Sequence, residues 1–440
     1  MAAREKSRGY RVQLYDKYYY LRDPHDHIEI EVAAMQHFDV KGAGSAGRRM
    51  RGRRAPRPWR AIAVSPAAGQ PRVPVHCSRA AAPVTCRRDC AMIRRARAAH
   101  CGRRRLTSTT PLARLPGGCM SRIVVIGGSG HIGAYLIPAL VEQGHDVVNI
   151  SRGQSTPYRP HPAWRSVEQV TIDRTVEERS GRFAACVVEL RPDIVVDLIA
   201  FDLPGTQRLV HALRGKVEHF LHCGTIWVYG HKAAIPVDES EPTNPFGDYG
   251  INKAATEAWL LHESRRTGFP ATVFRPGHIV GPGWAPIGPC GNLDLEVFAR
   301  IARGEEIALP NFGLETLHHV HADDIAQFVM RAMANRPASI GETFNVVAEK
   351  ALNLRGYAEA MYRWFGREPK IRFQPFDAWK AGQTPEHAEH AWEHIARSPC
   401  MSMEKARQRL GFQPRHTSLA AIQEAVAALI AAGDLPAGPG

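Results

Sequence analysis

The chain has 440 residues, room for two or three ordinary domains, with 57 Lys+Arg against 43 Asp+Glu and a formal net charge of +14 at pH 7. The excess is confined to one end: residues 1–119 carry 25 basic and 8 acidic side chains, a net +17, which leaves −3 for the remainder. Binding to nucleic acid needs clustered cations that displace counterions from phosphates, so the body of the chain is not expected to take a nucleic-acid partner. No run approaches the roughly 18 consecutive apolar residues of a membrane-spanning helix, and the first residues hold no apolar signal core, so no membrane partner is expected either.

In chain order, residues 1–41 contain Tyr18-Tyr19-Tyr20 and an alternating patch, Ile28 to Val32, that could form one strand or hairpin but is too small for a core of its own. From Gly42 to Cys119 the chain is rich in Arg, Ala, Pro and Gly, has Asp89 as its only acid and shows no period of 2 or 3.6. Disorder is the expectation, because so little periodic apolar surface cannot offset the entropy of ordering. Three readings compete for residues 1–119: an Arg-rich arm, a transit sequence, or translated upstream sequence with the true start at Met120. Seven acids in residues 1–41 weigh against the second. Of the nine cysteines, five lie in residues 77–119 and Cys186, Cys223, Cys290 and Cys400 are spread through the rest; no Cys-x-x-Cys pair occurs. Zinc ribbons and disulfide frameworks call for closer spacing, so the thiols read as reduced and the compartment as cytoplasmic.

After Arg122 the pattern changes to short apolar runs alternating with amphipathic stretches: strands at 123–126, 146–150, 194–199 and 219–223, with helices over 131–143, near 175–190 and near 205–214. Buried β-branched runs separated by helices of this length predict an α/β domain, a doubly wound parallel sheet of Rossmann type. The expected organisation is an N-terminal extension over 1–119, a dinucleotide-binding domain over 120–290 and a smaller C-terminal substrate-binding lobe over 291–435.

Between the first strand and helix lie Gly127-Gly128-Ser129-Gly130-His131-Ile132-Gly133, which place Gly127, Gly130 and Gly133 at GxxGxxG spacing. A bend without Cβ atoms lets the backbone approach a pyrophosphate, and the helix start offers free N–H groups and a positive dipole end. Ser129, His131 and Ile132, inside the bend, belong to the same cofactor site. A site that prefers NAD places an acid after the second strand; here Ser151-Arg152 stand there, so NADP is favoured over NAD, with Arg152 free to meet a 2′-phosphate. Asp173 could accept from the adenine amino group or simply cap a helix. Pro138 falls inside the first helix and should bend it or cap its first turns.

Farther on, Tyr249 and Lys253 are four residues apart and so share one helix face. A cation beside a phenol favours the phenolate, which would let Tyr249 exchange a proton with a substrate hydroxyl or carbonyl while a nicotinamide exchanges a hydride. Upstream is His222-Cys223-Gly224-Thr225-Ile226-Trp227-Val228-Tyr229-Gly230, and with it the chain resembles the extended short-chain dehydrogenase/reductase family, the NAD(P)-dependent epimerase/dehydratase group. That resemblance implies that Thr225 hydrogen-bonds the reacting oxygen, that Lys253 also holds the ribose, and that Pro276, within Arg275-Pro276-Gly277, borders the cofactor. It extends through Val320-His321-Ala322-Asp323-Asp324 and Gly341 to Val346, and on to Met403–Pro414. A homodimer follows from the resemblance as an expectation.

The chain departs from the pattern at Leu317-His318-His319, where many sugar-nucleotide members carry Arg-Asp, and this leaves a substrate-diphosphate clamp in doubt. His318, His319 and His321 could be read as metal ligands, but their spacing points them apart and the family uses no catalytic metal; none is expected. His278, Trp284 and Asn292 are the candidate substrate contacts, in a crevice at the carboxyl ends of the strands. The expected function is oxidoreductase chemistry of the epimerase/dehydratase type on a hydroxyl or carbonyl of a sugar-nucleotide-like or other small substrate. The alternatives are an NADP-dependent carbonyl reductase, and a non-catalytic relative that senses a dinucleotide or binds RNA.

Overall fold

The structure, a computed structural model, describes residues 3–6, 9–12 and 120–437. The chain divides into two units, residues 1–103 and residues 104–440. In the first, Ala3–Lys6 pairs antiparallel with Gly9–Val12; the expected strand at 28–32 and the expected disorder of 42–119 lie outside the described residues.

The second unit is built on seven parallel strands: β1 (Arg122–Ile126), β2 (Asp146–Ser151), β3 (Glu168–Thr171), β4 (Ile194–Asp197), β5 (His219–Cys223), β6 (Ala271–Pro276) and β7 (Thr343–Val346), in the order β7-β6-β5-β4-β1-β2-β3. Alternate residues feed opposite layers. Ile123 and Val125 of β1 join a core with helix α1 (Gly133–Glu142), whereas Val124 and Ile126 join another with helix α2 (Leu203–Leu213). Both faces are therefore covered, which is why these strands read as continuous apolar runs. The doubly wound α/β sheet is the expected architecture.

One helix differs from its expected bounds. The stretch near 175–190 is two helices, Arg174–Arg179 and Phe183–Glu189, because Ser180-Gly181 ends the first, where the Ser180 hydroxyl bonds back to the Glu177 carbonyl. The helix Glu296–Arg303 starts where the side chains of Asn292 and Asp294 take the backbone N–H groups of Asp294 and Glu296. Pro138 sits inside α1, buried, where it leaves the Ala134 carbonyl without its helical donor.

After residue 291 the chain builds a separate core around Phe298, Tyr357, Trp379, Ile395 and Ile422. It also returns to the sheet, contributing β7 and the helix Ala322–Ala334, whose Ile325 and Phe328 pack in the same core as α1. Among the described residues no helix is long and apolar enough to cross a membrane.

Helix α3 (Asp248–Thr267) is bound to the sheet through a buried ion pair: Arg275 at the end of β6 donates to both carboxylate oxygens of Glu257, with Nε at 2.9 Å. Removing one partner strands the other charge in a desolvated site. Glu257→Leu is expected to lower unfolding free energy by about 3–5 kcal/mol, and Glu257→Leu/Arg275→Met to recover much of that loss; urea denaturation of the two variants measures the difference.

Candidate active site

The turn after β1 takes the shape its glycines permit. Gly127 has φ +86°, and a Cβ on Gly133 would overlap the Gly128 carbonyl, so the start of α1 lies directly against the turn. Helix α1 has no side-chain cap and no acid in its first turn, which leaves its N-terminal end available to an anion. Ile132 buries its side chain in the core, so only its backbone faces the turn. The His131 ring stacks on Trp284 at 3.9 Å and 6°, with Tyr158 tilted against it at 4.6 Å; burial lowers the His131 pKa to about 4, and the ring is neutral.

Beside this turn is a cavity of about 640 Å³ whose walls include Ser129, Ser151, Thr156, Arg159 and Thr171. Arg152, at the end of β2, is exposed and makes no ion pair with another described residue. Asp173 caps the helix Arg174–Arg179 through one carboxylate oxygen, accepting from the N–H groups of Thr175 and Val176 at 2.9 and 3.2 Å. The next residue, Arg174, reaches across to grip both carboxylate oxygens of buried Asp197 at the end of β4, at 2.8 and 3.0 Å.

At the carboxyl ends of β5 and β6 the structure brings Thr225, Tyr249 and Lys253 together. Thr225 follows β5 and begins the short turn Ile226–Tyr229, its hydroxyl accepting the Trp227 N–H at 3.2 Å and lying near enough to the Tyr249 phenol to act on its pKa. Tyr249 lies in the first turn of α3 and is 42% exposed; Lys253, one turn on, is 2% exposed. Lys253 Nζ donates to the Cys223 carbonyl at 2.8 Å and lies 5.8 Å from the centre of the phenol ring. Desolvation raises the phenol's pKa and the Thr225 hydrogen bond opposes the rise. Lys253, expected to act on that pKa, donates to a strand carbonyl, and burial lowers its own pKa.

Of the residues expected beside the substrate, His278 is buried on the short strand His278–Val280, with rings of His319 and His394 at 5.5 and 5.0 Å. Trp284 instead covers the glycine turn, its indole N–H bonded to the Ile279 carbonyl at 3.2 Å. Asn292 is fully buried with its amide spent on the His387 carbonyl and the Asp294 N–H, a loop-forming arrangement. Pro276 is buried at the carboxyl end of β6, paired with Val346. The rings of His318 and His321 each accept a backbone N–H at Nδ1, from Met401 and Asp323, while His319 Nε2 faces the Ile287 carbonyl, so the three rings serve different backbone groups.

Glu257, Arg174 and Asp197 were not singled out in the sequence. Glu257 could have been found as the next member of the 249, 253 spacing; the Arg174 to Asp197 bridge spans 23 residues and leaves no local pattern.

A parallel sheet with a glycine turn at its first strand and a phenol, amine and hydroxyl gathered at its carboxyl edge defines the class as doubly wound α/β proteins. More specifically, residues 123–346 match the NAD dependent epimerase/dehydratase family, and the chain belongs to it. Members of this family bind NAD(P), and the uncapped helix start, the positive-φ glycine and the missing Cβ at Gly133 fit such a group. The chain is 26% identical to the chloroplast stem-loop binding protein of 41 kDa b from Arabidopsis thaliana, over 67% of this chain and 75% of that protein. It is 28% identical to the 2′-dehydrokanamycin reductase of Streptomyces kanamyceticus, over 56% and 67%. Its fold matches UDP-glucose 4-epimerase of Thermotoga maritima with a TM-score of 0.55 at 21% identity, covering 71% of this chain and 99% of that one.

Because a methyl group at Gly133 meets backbone rather than a movable side chain, Gly133→Ala is expected to push α1 off the turn. Titration followed by reduced-nicotinamide fluorescence should show NADPH binding lost in this variant and kept in Gly382→Ala, at a glycine whose added methyl group would make only an ordinary contact with the Trp379 carbonyl at 3.6 Å.

Proposed function

We propose that the protein is an NAD(P)-dependent enzyme acting on a hydroxyl or carbonyl group of a small substrate, with residues 120–290 holding the dinucleotide and 291–435 contributing the substrate lobe. The observation that carries this is the contact of Thr225 with Tyr249 one helical turn from buried Lys253. A bound nicotinamide would supply or accept the hydride. Tyr249 gives a proton to the substrate oxygen or takes one from it, Thr225 orients that oxygen, and Lys253 holds α3 at β5 with its charge close by. Gly127, Ser129, Gly130, His131, Ile132 and Gly133 would hold the dinucleotide, with Asp173, Lys253 and Pro276 along its length.

The phenol's raised pKa keeps it protonated at neutral pH, the form needed to donate to a reduced carbonyl oxygen. Tyr249→Phe should abolish turnover and leave dinucleotide affinity within a few-fold; unchanged turnover defeats the mechanism. Thr225→Val removes the bond that favours phenolate, so the basic limb of the pH profile should move to higher pH.

NADP is the preferred form in this reading. Support comes from Ser151 where an acid would repel a 2′-phosphate, from exposed Arg152, and from the hydroxyl-lined cavity that Arg159 enters. Arg152→Ala and Arg159→Ala should each cut the ratio of NADPH to NADH affinity by about tenfold, the scale of one charge-assisted hydrogen bond; equal loss for both cofactors removes that role.

The Arabidopsis relative raises a second reading, a stem-loop-binding protein. Residues 120–440 carry a net −3, a poor electrostatic match for RNA. Retained free thiols at Cys186, Cys223, Cys290 and Cys400 favour a cytoplasmic setting, and homodimerisation rests on the family resemblance alone.

A further inference from the structure

Between β2 and β3 the chain runs through residues 153–161 as a strap beside the glycine turn. The cavity of about 640 Å³ has Gly153, Thr156 and Arg159 of the strap among its walls, together with Ser129 of the turn and Ser151 and Thr171 at the ends of β2 and β3. Among the described residues its walls include no carboxylate, and Arg159 makes no ion pair.

The strap is tied down by side chains. Among the described residues, no backbone–backbone hydrogen bond involves residues 154–160, and Pro157 and Pro160 have no N–H to give. What holds it is a short set of contacts with its surroundings. The Tyr158 ring lies 4.6 Å from that of His131 and 5.2 Å from that of Trp284. The Arg159 guanidinium lies over the Tyr135 ring of α1 at 5.2 Å, and His161 Nε2 faces the Glu142 carboxylate, at the end of α1, at 3.3 Å. Tyr158 is 44% exposed. Ring contacts, cation–π contacts and surface pairs of this kind are individually weak, and a segment without backbone hydrogen bonds opens at little cost to the sheet beneath it.

The two side chains in the middle of the strap serve different ends of one site. Tyr158 closes on His131, at the start of α1, where a pyrophosphate would meet free N–H groups. Arg159, the next residue, borders the cavity where a 2′-phosphate would lie. A ligand that joins the helix start to the cavity therefore passes along the strap, with the Tyr158 ring contact beside it.

We infer, on the basis of the dinucleotide binding proposed above, that residues 153–161 form a strap that closes over the adenosine end of NADPH, with Tyr158 as its latch on His131 and Trp284 and Arg159 as its tie to the 2′-phosphate. The latch is closed in the structure, so it must lift both for entry and for release, and the strap sets the rate of cofactor exchange. NADH has no phosphate for Arg159 and is retained by the latch alone. The site thus favours NADPH by residence time as well as by affinity.

The test is stopped-flow mixing of the full chain with NADPH and, separately, NADH, followed by reduced-nicotinamide fluorescence, with release read by chasing with excess oxidised cofactor. In Tyr158→Ala, association and release of NADPH should both accelerate about tenfold, the scale of two ring contacts, with an unchanged circular dichroism spectrum. The dissociation constant should then stay within about threefold of the original, because a gate acts on both rates. Tyr158→Phe, which keeps the ring, should behave as the unaltered chain, and Arg159→Ala should bring NADPH release close to the NADH rate. Unchanged rates in Tyr158→Ala overturn the inference, and so does faster release with unchanged association, which makes Tyr158 an ordinary contact of the bound cofactor. Failure of the unaltered chain to bind either dinucleotide defeats the underlying reading, whereas tight binding with kinetics indifferent to Tyr158 defeats the strap alone.

Discussion

Helix α3 is fastened to the sheet by two buried charges set one turn apart. Lys253 ends on the carbonyl of β5, and Glu257 ends on Arg275 of β6. Each spans a different strand, so the helix can neither slide along its axis nor rotate without exposing a charge to an apolar core. Tyr249, one turn before Lys253, inherits its position from this anchoring. The phenol can therefore remain partly open to solvent while the face that places it is sealed.

The same division recurs on the other side of the sheet's switch in strand order. Arg174 closes on Asp197 at the end of β4, next to the glycine turn of β1 and across from Lys253. Ionic contacts thus fix the elements that meet at the carboxyl ends of the strands.

Much of this was legible in the sequence because it is local. The continuous apolar runs marked strands covered on both faces, the glycine spacing marked the turn, and Tyr249 and Lys253 marked one helix face. Trp284 and Asn292 were harder: both lie in a loop rich in Pro and Gly, where no period tells which way a side chain turns, and the structure sets one over the glycine turn and the other into the loop's own hydrogen bonds. The behaviour of the Tyr249 phenol also escaped a spacing argument, because residue spacing gives proximity but not whether Lys253 is already engaged by a carbonyl.

The stacked rings of His131 and Trp284 join the glycine turn to the loop after β6, and Tyr158 adds the loop after β2 to the same contact. Stacks of this kind contribute about 0.5–1.5 kcal/mol beyond the area they bury. Three loops are thereby drawn together across the mouth of the crevice by a clasp only a few times the thermal energy, firm enough to set the resting outline and weak enough to part many times for each global unfolding of the domain.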